Sequence, residues 1–305
     1  MSKALIAMDS SGSFRVCAAI TTDLVQEAAR IHETTPTASA GLGRVLTAAG
    51  MMGILMKEPD QKLTVNFKGD GPAKQYLATA YSDGRVKGYV ANPYVDLPLT
   101  PEGKLDVGGS LGIGELSVIR DLGLKEPYMG TIALVNGEIA EDLTAYFFIS
   151  EQQNTSVALG VRVERDLSIG AAGGMIIQML PDAREGAVDA LEKMISSMEP
   201  ITTTIRRVVS EGKGLSAAAL VRRMVEEIFA DMPQEYRVEV LEERDITWHC
   251  DCSRERIEQA LMTIGTKDLR EIIEEDGQAE LQCQFCLKKY QFSREQLQSI
   301  LEDIQ

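Results

Sequence analysis

Four of the five cysteines in the chain fall into two tight pairs near its end, Cys250-Asp251-Cys252 and Cys283-Gln284-Phe285-Cys286. The first pair brackets one residue, the second brackets two, and 30 residues separate the pairs. Each pair can present two sulfurs to one centre. Four thiolates make a closed tetrahedral site, and the ion that prefers such a site is Zn²⁺. The same spacing makes each pair a ready disulfide partner. A site able to hold either a metal or two disulfides is a chemical switch. A disulfide across the single residue Asp251 closes a small, strained ring, which marks it as labile. A purely structural zinc site remains open on spacing alone.

The remaining chemistry is sparse. His249 adjoins Cys250, but four sulfurs already complete the tetrahedron, so no histidine ligand is expected. A closed site with no neighbouring H-x-E argues against a catalytic zinc and against a zinc deaminase. Gly108-Gly109 and Gly112-Ile113-Gly114 complete no nucleotide-binding fingerprint and read as turns, so ATP use finds no support. The only histidines are His32 and His249, and no nucleophile has a credible base. The chain reads as a non-enzyme. Cys17, alone in the apolar run Val16–Ile20, reads as a buried inert thiol.

These cysteines need elements to position them. At 305 residues the chain calls for two or three domains. Residues 1–180 alternate strand and turn signals with a few helices, including an unusually apolar helix over 40–56. They read as an α+β domain with a largely antiparallel sheet. Gly173-Gly174 reads as a flexible joint or a turn entering a strand. Residues 181–233 read as a linker of three amphipathic helices, broken at Pro200 and at Gly212-Lys213-Gly214 and ended by Asp231-Met232-Pro233. Residues 234–305 read as a small zinc-binding domain. In it a strand near 236–240 leads past Trp248 to the first cysteines, Ser253 caps a helix, and Ser293 with Gln296 forms a capping box. A unit this small needs a staple, and metal binding supplies one. Trp248 is expected to pack within this unit.

Composition excludes other partners. The net charge is −15, with 26 acids against 16 bases after residue 180 and 20 against 15 before it. Neither part offers a basic surface, which argues against nucleic acid and anionic membrane. There is no apolar run long enough to span a bilayer. Ala4–Met8 is too short for a secretory core, so a cytoplasmic location is expected. Clustered cysteines there point to metal or redox chemistry. Thirteen methionines suit either core packing or an adaptable binding surface.

The run Cys250-Asp251-Cys252-Ser253-Arg254-Glu255-Arg256 with Cys283-Gln284-Phe285-Cys286 resembles the redox switch of the 33-kDa heat shock protein family, the redox-regulated molecular chaperones. Gly112–Leu116, Leu143–Phe147 with Ser150-Glu151-Gln152, and Gly173–Pro181 resemble segments of that family's first domain. The resemblance extends over essentially the whole chain. It implies an ATP-independent holdase of the bacterial cytoplasm with one zinc on Cys250, Cys252, Cys283 and Cys286 when reduced. It implies disulfides Cys250–Cys252 and Cys283–Cys286 on oxidation, loosening of the zinc unit and linker, binding of unfolding client proteins, and a homodimer when active. The alternatives are a zinc-ribbon adaptor for a specific protein partner and, more weakly, a thiol oxidoreductase built on Cys283 and Cys286.

Overall fold

The computed structural model describes residues 2–304 and divides into two compact units, one ending at His249 and one beginning at Cys250. The first unit opens with β1 (Ser2–Asp9), β2 (Phe14–Ile20), α1 (Thr22–His32), α2 (Pro36–Ile54), β3 (Lys62–Gly69), β4 (Gln75–Tyr81) and β5 (Arg85–Val90). It continues through α3 (Val107–Leu111), β6 (Gly114–Asp121), β7 (Tyr128–Ala133), α4 (Ala140–Ser150), β8 (Thr155–Val163) and β9 (Ile169–Met179). Three helices follow, α5 (Glu185–Ser197), α6 (Ile201–Glu211) and α7 (Ala217–Ile228), and then β10 (Val238–Trp248). The second unit holds α8 (Arg254–Met262), α9 (Thr266–Glu275), β11 (Gln278–Gln282), β12 (Lys289–Ser293) and α10 (Arg294–Asp303).

Ten strands form one sheet in the order β7-β6-β3-β4-β5-β10-β1-β2-β9-β8. Every pairing is antiparallel except β10 with β5, which meet in parallel at Thr247–Arg85 and Trp248–Val86. The expected α+β class with a largely antiparallel sheet is what the chain adopts. β11 and β12 form a separate antiparallel hairpin in the second unit.

The apolar runs follow from burial on both faces. In β1, β2 and β9, Ala4, Cys17, Ala19 and Ile176 face the core built around α2. Their alternates Leu5, Val16, Ala18 and Ile177 face a second core with α5, α6 and α7. Strands buried on both sides lose the apolar–polar alternation that a half-exposed strand keeps. Helix α2 is buried along nearly its whole length, as its apolar composition requires. Its glycines permit that depth: a Cβ on Gly41 would lie 2.4 Å from the Tyr76 ring. The linker helices pack on the second sheet face through Leu191, Ile205, Val208, Val221, Met224 and Val225, and Ser216 caps α7 as expected.

The structure differs from the sequence reading at four places. The strand expected near 236–240 is β10, which runs to Trp248 and pairs with β1 along its length. Residues 238–248 therefore belong to the large sheet, and the compact small unit starts at Cys250 rather than 234. Charged residues on β10 hid this, because its exposed face reads as a surface strand while Ile246 is buried in the α2 core. Trp248 accordingly packs with the first unit, edge-on to His32 at 6.2 Å. Gly108-Gly109 lies in the short helix α3, capped by the Asp106 carboxylate on the Gly109 N–H at 2.7 Å. Gly173-Gly174 lies inside β9, where a Cβ on Gly173 would come 2.4 Å from the Ala19 carbonyl. Close strand approach, not flexibility, explains that pair.

Candidate metal centre

Two local structures of the second unit carry the cysteines. Cys250 and Cys252 lie on the non-helical segment before α8. Ser253 ends that segment by capping α8, its hydroxyl accepting the Arg256 N–H at 3.3 Å. The Asp251 carboxylate pairs with Arg256 in the first turn, which favours the acid near a helix N-terminus. Cys283 and Cys286 form the tight knuckle joining β11 to β12. The Cys283 N–H donates to the Lys288 carbonyl at 3.0 Å and the Leu287 N–H to the Cys283 carbonyl at 2.8 Å. Leu287 turns the chain through a left-handed conformation, φ 59°.

Arg254 joins the two halves. Its guanidinium lies 4.3 Å from the centre of the Phe292 ring and donates to the Gln291 carbonyl at 3.0 Å and to Gln296 at 2.9 Å. The start of α8 is thus fixed to β12 and α10, and the C-x-C segment comes to rest against the knuckle.

The four sulfurs lie within 4.8 Å of one another. Cys250 and Cys283 approach to 3.7 Å, and Cys252 and Cys286 to 3.4 Å. A tetrahedron of thiolates around an ion at about 2.3 Å has edges of about 3.8 Å, so the cluster has the size of an S₄ metal site. Both of these contacts run between the two pairs. All four cysteines singled out from spacing come together, and they could hold a metal ion. His249 is exposed and is not in the cluster. Cys17 is buried in β2, where burial pushes its thiol up to about 12.

The sulfurs are not equivalent. Burial, first, raises the thiols of Cys250 and Cys286. Burial also opposes ionisation of Cys252, but hydrogen bonds from Tyr290 and from the neighbouring thiols outweigh it and lower its pKa. The Tyr290 hydroxyl donates to the Cys252 sulfur at 3.1 Å. Sequence reasoning missed Tyr290. The available signal was its inward position on β12, whose burial alternates at Tyr290 and Phe292, combined with a phenol that needs a partner when buried. The centre is continuous with a small apolar core of Leu261, Leu269, Ile273, Phe292, Leu297 and Ile300, and Cys283 is itself a buried member.

Fold and site together define a class: a large two-sided α+β unit with a helical insertion, followed by a small unit whose candidate ligands are all thiols. The chain belongs to the Hsp33 protein family, whose model it matches over residues 3–293. It is 47% identical over 303 residues to the 33 kDa chaperonin of Clostridium perfringens strain SM101, covering 99% of this chain and 92% of the relative. It is 46% identical over 296 residues to the 33 kDa chaperonin of Alkaliphilus oremlandii, covering 97% and 94%. The crystal structure of the 33 kDa chaperonin from Thermotoga maritima superposes with a TM-score of 0.82 at 32% identity over 98% of each chain. This is a chaperone family, which implies binding of unfolded client proteins. Among the described residues no helix is long and apolar enough to cross a membrane.

Proposed function

We propose that the chain is a redox-regulated, ATP-independent holdase of the bacterial cytoplasm. Cys250, Cys252, Cys283 and Cys286 hold one Zn²⁺ when reduced. The bound ion supplies folding free energy to a unit too small to be secure without it. The observation that supports this most is the four-sulfur cluster of tetrahedral size, continuous with the small unit's own core. Oxidation joins Cys250 to Cys252 and Cys283 to Cys286. Forming each disulfide passes two electrons from a thiolate pair to one peroxide, which takes up two protons from solvent and leaves as two waters, and the zinc ion is released. Bonding between sequence neighbours destroys the tetrahedron and uncouples the two cysteine segments. The small unit then loosens, the linker helices over 181–233 follow, and their apolar faces bind unfolding proteins as a homodimer. The acidic surface keeps this sticky state in solution.

The test follows aggregation of a thermally unfolding client by light scattering, with zinc release recorded by a chromogenic chelator. Reduced protein should carry one zinc per chain and protect poorly. Peroxide with mild heat should release the zinc and switch protection on, and a dithiol reductant with zinc should reverse both. Zinc release without a gain in protection would favour an adaptor that binds a specific protein partner. Steady dithiol turnover independent of zinc would favour an oxidoreductase.

A further inference from the structure

Three strands of the large sheet change chemistry at the same level of the interior. In β2, Cys17 and Ala19 face the α2 core, and the next position on that side is Arg15. In β6, Leu116 and Val118 are followed by Arg120; in β9, Ile176 is followed by Gln178. Side chains two apart on a strand share a face, so all three point where apolar residues are expected. Polar residues at core positions are errors unless they serve a function. They line one cavity of about 320 Å³, whose opposite wall is the end of α2, Met52, Leu55 and Met56, with Phe147 of α4.

The charges in this cavity do not balance. Gln178, 2% exposed, holds the Arg15 fork by accepting its Nε–H at 2.8 Å, and is held in turn by Gln153 at 2.9 Å. The terminal nitrogens of Arg15 have no partner among the described residues. Arg120 pairs with Glu151 at 2.9 Å, but Glu151 also accepts the Tyr146 hydroxyl at 2.6 Å, and the Arg120 Nε is buried with no partner. Glu151, already engaged, pairs with Arg120 alone, and the Arg15 guanidinium has no carboxylate partner among the described residues. Burial, with the Arg120 charge adding to it, holds the Arg15 pKa below its ordinary value; Cys17 opposes this only when ionised. Lys57 and Glu58 at the rim offset each other.

We propose that this cavity is a binding site for a small carboxylate bearing a short hydrocarbon tail. The carboxylate lies between the Arg15 and Arg120 forks, whose planar donors match its two oxygens. The tail lies along Met52, Leu55, Met56 and Phe147, and methionines adapt to chains of varied shape. The site belongs to the large unit and owes nothing to the cysteine centre.

Octanoate is the probe, titrated into the reduced full-length chain by calorimetry and by the ¹³C shift of a labelled carboxylate. Saturable binding with Kd below about 1 mM is expected, a modest affinity for a ligand of this size. Octanamide, with the same chain and no charge, should not bind, and inorganic phosphate should bind more weakly. Arg15→Gln should weaken octanoate at least about tenfold, because a charge-assisted pair is lost. Met56→Glu, at the half-buried end of the apolar wall, should do the same by repulsion, and it decides the matter alone if Arg15→Gln fails to fold. Absence of saturable binding, octanamide or phosphate binding as tightly as octanoate, or variants that fold and bind like the parent would each overturn the proposal.

Discussion

A charge placed under α7 tests whether the linker is the conditional element. Val225 is 3% exposed and packs with Val221 and Met224 in the core between the linker helices and the sheet. Val225→Ala removes two methyl groups and costs about 1–3 kcal/mol. Val225→Asp adds an acid with no counter-ion. The nearby guanidiniums are already committed: Arg222 to Glu243, Arg223 to Glu211 and Glu227, and Arg207 to Glu199 and Glu227. An uncompensated buried charge costs about 3–5 kcal/mol, unless the acid stays protonated, which itself consumes free energy. At about 1.4 kcal/mol per factor of ten, the aspartate raises the open linker population at least about a hundredfold and the alanine about five- to a hundredfold. Hydrogen exchange over 185–228 should rise in that order, and client protection should appear without oxidant in the same order. The zinc content of both variants should stay at the parental level. Faster exchange with no protection would separate linker opening from client binding and refute the reasoning. Parental exchange in Val225→Asp would show that this helix face carries no stability.

Four further outcomes are expected. Tyr290→Phe should weaken zinc retention against a competing chelator by about 10- to 100-fold, as loss of an outer hydrogen bond to a ligand does; unchanged retention would make the 3.1 Å contact to Cys252 incidental. Burial raises the Glu227 pKa, but hydrogen bonds from Arg223 and Arg207 outweigh this and leave it below the ordinary 4.5. A depressed carboxylate contributes stability that is complete above the unfolded value and lost as pH falls through the folded one, so linker exchange should climb only below about pH 4.5, and an onset near neutral pH would contradict this. Cys17→Ser should leave redox activation intact, since a buried thiol shifted to about 12 forms no thiolate near neutrality; loss of activation by peroxide would refute this. Trp248 emission should barely move on zinc removal alone, because the indole sits in β10 beside His32, and a red shift tracking zinc loss would mean that the end of β10 unravels with the small unit.

The centre was the most legible part of the chain, because thiol chemistry at one- and two-residue spacing leaves few alternatives. The antiparallel sheet was legible from turn signals such as Ser82–Arg85, and α2 from composition alone. What the sequence withheld was long-range. Nothing local in 238–248 says that this strand inserts between β1 and β5, since its partners lie more than 150 residues earlier. Gly173-Gly174 reads equally as a joint or as a turn entering a strand until the Ala19 carbonyl is seen against it. Tyr290 escaped notice because its role depends on the direction of one hydroxyl. The inward placement of Arg15 and Arg120 needed the sheet faces to be known first.

The position of β10 has a mechanical consequence. The segment 180–237 leaves the sheet at β9 and rejoins it at β10, three strand spacings away, about 14 Å. If it melts, it is a loop pinned at both ends, not a free tail. A flexible chain of that length spans about 40 Å when unconstrained. Holding its ends together removes about 3.6 kcal/mol of chain entropy beforehand. Melting therefore gains less disorder than the length alone suggests, and the helices refold from ends that never separated. The released segment bows outward over the sheet face it had covered and stays in place to close again.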